Sequence, residues 1–154
     1  MTKEVLVLCQ RKSGKSSFNG YEGNVEDIVV PKINKLVQQH LGSDTTIKYL
    51  TDMTHYEGDA DYKFTLKSDN LEAKEFISTH KKFYSFIILN TSPIRYMDFN
   101  LIYDLLEPEG MIYFSRFPID TPVDISRHPE EKINNIKSLF HDIGGGLYRK
   151  NEWL

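Results

Sequence analysis

Short apolar runs alternate along this chain with longer segments whose apolar residues recur every three or four positions. The runs at residues 86–89 and 111–114 are continuously apolar, which is typical of strands covered on both faces, as in a parallel sheet. Strands that alternate with helices predict an α/β fold with a mostly parallel central sheet. The predicted strands are residues 4–9, 46–50, 62–66, 86–89 and 111–114, with a last edge strand at 147–153.

Four helices are predicted from the helical spacing. The first is capped by Asn24 and contains Pro31, so it either kinks at the proline or begins near Val30, and Gly42 ends it. The second spans residues 71–83. Its inward face is predicted to carry Leu71, Phe76, Ile77 and Phe83.

The third and fourth helices are bounded by turn residues. The third has Leu101 and Leu105 on its apolar face and is ended by the turn at residues 107–110. The fourth begins at Pro129 and ends at the glycines 144–146. Its apolar face is predicted to consist of Ile133, Ile136, Phe140 and Ile143. Together the elements predict one three-layer, Rossmann-like domain over residues 1–154.

Composition and charge narrow the kind of protein. The chain has 154 residues, a formal net charge of −3 and a single cysteine, Cys9. One cysteine excludes an internal disulfide and a cysteine-cluster metal site, and it fits a reducing compartment. No long apolar run and no leading signal are found, so we expect an intracellular, cytoplasmic protein without a membrane segment. The negative charge gives no indication of nucleic acid as a partner.

The loop after the first strand contains part of a phosphate-binding motif. Gly14, Lys15 and Ser16 supply the last three positions of a Walker A loop, whose first glycine is replaced here by Cys9. That glycine matters because the backbone N–H groups must aim inward at the phosphates. A nucleotide-binding protein is therefore one hypothesis, and a solvated basic loop is the alternative.

The segment from residue 83 to residue 118 resembles the second half of class I S-adenosylmethionine-dependent methyltransferases. In that family a helix ending in Leu-Leu-Lys-Pro-Gly-Gly leads into the fifth strand, and residues 105–110 here are Leu-Leu-Glu-Pro-Glu-Gly. The resemblance implies a methyltransferase-like topology with a cofactor site at the carboxyl ends of the strands. In its richness in Lys, Asn, Ile and Tyr, the chain also resembles proteins of large DNA viruses.

The resemblance implies an arrangement for the end of the sheet as well. The family closes with a sixth strand and an antiparallel seventh, which form a hairpin. After the predicted fourth helix this chain has room for one strand, so we expect a shortened C-terminal hairpin. The exposed edge that remains is a route for self-association or for a protein partner that adds a strand.

Four residues correspond to the cofactor site of the family. The loop that contains Cys9 and Gly14 matches the cofactor loop by position. Asp52 follows the second strand, where an acidic residue of the family binds both ribose hydroxyls. Asp59 lies in a Gly-Asp-Ala sequence that resembles the family's sequence at the adenine edge. A role in a turn or cap is the alternative for Asp52.

Asn90 and Ser92 are the candidate catalytic residues. They follow the fourth strand, where amino-methylating members of the family hold the substrate amine toward the methyl group. The alternative is that both side chains cap the next helix or bond to loop backbone.

Departures in the cofactor loop decide the functional prediction. The family has an acidic residue and three closely spaced glycines there, whereas this loop has neither. We therefore predict a methyltransferase-like domain with an eroded cofactor loop, a pseudoenzyme that acts as a binding or scaffolding module or uses a rebuilt small-molecule pocket. The absence of a cofactor is favoured over bound S-adenosylmethionine. The alternatives are an active methyltransferase with an atypical first loop and the nucleotide-binding protein described above.

Overall fold

A computed structural model describes residues 2–9, 15–16, 23–51, 60–90, 98–116, 121–122 and 129–152 of the chain. Strands and helices alternate through this part of the sequence. In chain order the elements are β1 (Lys3–Cys9), β2 (Lys15–Ser16), β3 (Gly23–Asn24), α1 (Val25–Leu41), β4 (Thr45–Thr51), β5 (Tyr62–Lys63), α2 (Leu71–Thr79), β6 (Tyr84–Asn90), α3 (Phe99–Leu105), β7 (Leu106–Arg116), β8 (Thr121–Pro122), α4 (Glu130–Leu139), β9 (Phe140–Gly144) and β10 (Leu147–Lys150).

Seven of these strands form one mixed sheet in the order β5-β4-β1-β6-β7-β10-β9. The first five in this order are parallel to one another, and β10 runs antiparallel to both β7 and β9. The two-residue β8 pairs with the end of β7, while β2 and β3 pair only with each other. The predicted α/β fold with a mostly parallel sheet is confirmed.

Helices cover both faces of the sheet, and each face has its own core. Alternate residues of the central strand divide between them: Val5 and Val7 pack with α1, whereas Leu6 and Leu8 pack with α2, α3 and α4. Residues 86–89 of β6 are fully buried, as their continuous apolar sequence predicts. Each large aliphatic side chain buried this way contributes about 1.5–3 kcal/mol to folding.

The bounds of the first two helices differ from the prediction. Helix α1 begins at Val25 and includes Pro31, so a start near Val30 is wrong. Helix α2 ends at Thr79 rather than at residue 83, because the Thr79 hydroxyl bonds to carbonyls of the preceding turn and Lys82 has a left-handed φ of 56°.

The inward face predicted for α2 is also partly wrong. Phe76 is buried, but Leu71 is 79% exposed and Phe83 is 44% exposed. Leu71 is the first residue of the helix and Phe83 lies beyond its end, so neither belongs to the packed turns. Ala73 takes the buried position instead.

The predicted turn at residues 107–110 is a bulge inside β7. Leu106 already pairs with Tyr84, and pairing resumes with Met111 opposite Phe86, so residues 107–110 bulge out of the ladder. The bulge is held by the Ser85 hydroxyl, which donates to the Glu107 carboxylate at 2.8 Å. Helix α3 ends at Leu105, and Leu106 is already the first residue of β7.

The C-terminal region contains a strand that the sequence pattern does not predict. Helix α4 ends at Leu139, and Phe140–Gly144 form β9 rather than the last turns of the helix. The glycines 144–146, all with positive φ, make the turn of a hairpin between β9 and β10. The expectation of a single last strand is therefore wrong. The edge of the sheet is β9, whose Ile143 is 40% exposed, and not the strand at residues 147–150.

Gly110→Ala is expected to destabilise the protein by about 1–3 kcal/mol, the usual cost of overpacking. A Cβ on Gly110 would lie 2.9 Å from the Glu107 carbonyl oxygen and 3.0 Å from the Leu106 side chain. Urea unfolding followed by circular dichroism measures the change.

The control for this prediction is Glu109→Gly, one residue earlier. Glu109 has a left-handed φ of 66°, which glycine adopts without strain, so this variant should be as stable as the parent or slightly more stable. Equal stability of the Gly110→Ala variant and the parent would show that the bulge tolerates a Cβ.

Candidate ligand-binding crevice

The strand order reverses beside β1, so the carboxyl ends of β1 and β6 form a topological switch point, which is the position of the candidate crevice. Helix α1, which follows β1, packs on one face of the sheet, and helix α3, which follows β6, packs on the opposite face. In open α/β sheets this switch point is where ligands bind.

A row of four polar residues lines the carboxyl edge of the sheet. Cys9 and Asn90 are register partners at the ends of β1 and β6. Leu50 pairs with Leu8 and Phe114 pairs with Leu89, so the next residues, Thr51 and Ser115, extend the row on either side. These four residues form the polar row, in the spatial order Thr51, Cys9, Asn90 and Ser115.

The outer members of the polar row are buried. Thr51 is 1% exposed and Ser115 is 2% exposed. Two residues earlier on the same strands, Tyr49 and Tyr113 belong to the core under α1. By the alternation of a strand, Thr51 and Ser115 lie on that same face, directly above the apolar layer.

The backbone carbonyl of Thr51 has a hydrogen-bond partner, and the side-chain hydroxyl of Ser115 has none among the described residues. The Thr51 carbonyl accepts a hydrogen bond from the Phe64 N–H at 3.1 Å, which joins the end of β4 to the chain after β5. Within the described ranges, the Ser115 hydroxyl has no hydrogen-bond partner. Its neighbour across the ladder in β8 is Pro122, which has no N–H to donate.

The structure brings together two of the residues predicted for the site. Cys9 and Asn90 lie side by side at the switch point, while their roles stay predictions. Gly14, Asp52, Asp59 and Ser92 lie outside the described residues. The pattern analysis missed Thr51 and Ser115, although each is a polar residue that directly follows an apolar run at the carboxyl end of a strand.

The backbone of Lys15 and Ser16 does not support the Walker A hypothesis. In that motif the lysine and serine open the helix that follows the loop. Here they form β2, paired with Gly23 and Asn24 of β3, and α1 begins only at Val25. Eight residues therefore lie between Ser16 and the first residue of α1.

The opposite edge of the sheet holds a buried lysine. Lys150 Nζ donates to the Leu106 carbonyl at 2.7 Å and lies 4.2 Å from the centre of the Tyr103 ring. Burial, with the nearby positive charge of Lys82, lowers the pKa of the Lys150 ammonium. Burial raises the pKa of the Tyr103 phenol, and the carboxylate of Glu152 acts in the same direction.

A second tyrosine at the amino edge, Tyr84, also has a phenol whose pKa is raised by burial. Tyr84, the first residue of β6, is fully buried, and its ring stacks with those of Phe76 and His80. Burial raises the pKa of the Tyr84 phenol strongly, and Tyr62 and Glu4 add to the effect. Among the described residues, the three groups with shifted pKa values all lie at the amino edge of the sheet: Tyr84, Tyr103 and Lys150.

Across the described ranges, no group of three or more His, Cys, Asp or Glu side chains is placed to hold a metal ion. No helix in that part of the chain is long and apolar enough to cross a membrane.

Comparison of the chain with protein-family models, with curated proteins and with solved structures finds no match.

Lys150→Met is expected to lower the free energy of unfolding at pH 7 by about 1–3 kcal/mol, because the buried Leu106 carbonyl loses its donor. The difference between parent and variant should grow as the pH rises toward 10.5. In that window the unfolded lysine keeps its proton while the folded one, with its lowered pKa, releases it, so the parent gains stability.

Urea unfolding of both proteins between pH 7 and pH 10 measures this difference. Lys63→Met, on the edge strand β5, is the control for the replacement of a lysine by methionine. A gap between parent and the Lys150→Met variant that narrows with rising pH would contradict the assigned direction.

Proposed function

We propose that the chain is a methyltransferase-like Rossmann domain that binds a nucleoside-containing small molecule in a rebuilt pocket at the carboxyl edge of its sheet. The observation that carries the proposal is the reversal of strand order at β1 and β6, with Cys9 and Asn90 in register at the opening. Crevices of this kind bind mononucleotide and dinucleotide ligands in doubly wound folds.

The C-terminal part of the sheet supports the methyltransferase-like relationship. Among the seven strands of the mixed sheet, β7 is the fifth along the chain, β9 the sixth and β10 the seventh. The fifth is preceded by a helix whose last residue, Leu105, begins the Leu-Leu-Glu-Pro-Glu-Gly sequence, and the seventh is antiparallel and forms a hairpin with the sixth. These are the features that the family has in this region.

The loop after β1 is the reason for proposing a rebuilt pocket. It lacks the acidic residue and the close glycines that bring backbone near the cofactor in the family. The pairing of β2 with β3 gives this connection its own backbone hydrogen bonds instead. The polar row contains two buried hydroxyl residues, Thr51 and Ser115, and hydroxyl groups suit the hydroxyls of a sugar or the edge of a base.

An active S-adenosylmethionine-dependent methyltransferase is the second candidate. Strand β4 extends to Thr51, one residue further than predicted, so Asp52 is the residue that immediately follows the strand. That is where the resembled family places the carboxylate that binds both ribose hydroxyls. A scaffolding role through the exposed edge strand β9 stays a prediction.

Titration calorimetry with adenosine, S-adenosylmethionine, S-adenosylhomocysteine and ATP tests the proposal. We expect at least one of them to bind the parent protein, and Asp52→Asn to weaken that binding by roughly 10- to 100-fold, since a hydrogen bond to a charged group contributes about 1.5–3 kcal/mol. Methyl transfer from S-adenosylmethionine to a substrate amine would select the second candidate.

The matched control is Asp44→Asn. Asp44 lies just before β4 at the amino edge, where its carboxylate accepts a hydrogen bond from the Thr2 hydroxyl, so binding should not change. If none of the four compounds binds at millimolar concentration, the proposed function is wrong.

A further inference from the structure

We infer that the Ser115 hydroxyl is a ligand-binding group of the crevice, an inference that rests on the function proposed above. Ser115 is the fourth member of the polar row, next to Asn90 in register and 2% exposed. Neither the sequence motifs nor the resemblance point to it. Ser115 is buried at the carboxyl edge, and its hydroxyl has no partner among the described residues, so a bound ligand is the partner that we infer.

The hydroxyl of Ser115 is energetically unfavourable in the free protein. Buried polar atoms in native proteins nearly always have a hydrogen-bond partner, and each exception calls for an explanation. Ser115 Oγ is buried without one among the described residues. An apolar residue would suit this position better, because the residue two places earlier on the same strand, Tyr113, lies in the core under α1. A bound ligand that pairs with the hydroxyl would remove the penalty.

Ser85 shows what a structural serine looks like in the same sheet. It is also buried on a central strand, β6, but at the amino edge. Its hydroxyl donates to the Glu107 carboxylate at 2.8 Å and so holds the bulge of β7. The two serines are thus alike in burial and differ in whether the protein itself uses the hydroxyl.

The length of the polar row indicates the size of the ligand. Thr51 and Ser115 are on strands separated by β1 and β6, which is three inter-strand spacings, or about 14 Å. A ligand that reaches both ends is longer than a sugar or a base alone, and a nucleoside with an extended tail spans such a distance. S-adenosylhomocysteine is therefore the probe for this inference.

Two measurements on Ser115→Ala test the inference, with Ser85→Ala as the matched control. For Ser115→Ala without ligand we expect a urea midpoint equal to or above that of the parent, and an affinity for S-adenosylhomocysteine about tenfold lower because one hydrogen bond is lost. For Ser85→Ala we expect a lower urea midpoint and unchanged affinity.

The outcomes separate this inference from the proposed function. A lower midpoint of the ligand-free Ser115→Ala variant would mean that the hydroxyl has a structural partner, and unchanged affinity would mean that the ligand does not contact it; either result overturns the inference alone. Binding of adenosine or ATP but not of S-adenosylhomocysteine by the parent also overturns it and leaves the proposed function standing. No binding of any of the four compounds overturns both.

Discussion

The parallel pairing of β1 with β6 is the constraint on which the other elements depend. Residues 5–9 of one strand lie opposite residues 86–90 of the other, and the apolar members of both are buried on both faces of the sheet. Because helices cover these faces, the backbone at the centre is accessible only at the strand ends. Helices α1 and α3, which follow these two strands, pack on opposite faces of the sheet, so the carboxyl ends of β1 and β6 form its topological switch point.

How much of this the sequence predicts depends on how unambiguous each pattern is. The four-residue apolar run of β6 is too short for a helix and too continuous for a half-exposed strand, so a buried parallel strand is the remaining solution. Residues 136–143 are different, because Ile136, Phe140 and Ile143 fit a helical face equally well. In the structure the three glycines after this segment form the turn of a hairpin. A run of glycines also ends helices, so the sequence pattern fits both a longer helix and a strand followed by a turn.

The site was harder to predict than the fold for a physical reason. A motif search finds residues by type and spacing, whereas Thr51 and Ser115 matter because register places them beside Cys9 and Asn90. Register between strands far apart in sequence depends on tertiary packing, since a slip by one residue would turn every side chain to the other face. The resemblance pointed to the carboxyl edge of the sheet, but it could not show which buried hydroxyl there lacks a partner among the described residues.

The two edges of the sheet differ in their polar contacts. At the amino edge Lys150 donates to the Leu106 carbonyl, Ser85 donates to Glu107, and the Tyr103 hydroxyl donates to the Asn151 carbonyl. These contacts tie the last residues of the hairpin to α3 and to the bulge of β7. At the carboxyl edge Ser115 keeps a buried hydroxyl that none of the described residues satisfies. Since an unpaired buried hydroxyl lowers stability, its presence here supports the proposal that Ser115 pairs with a bound ligand.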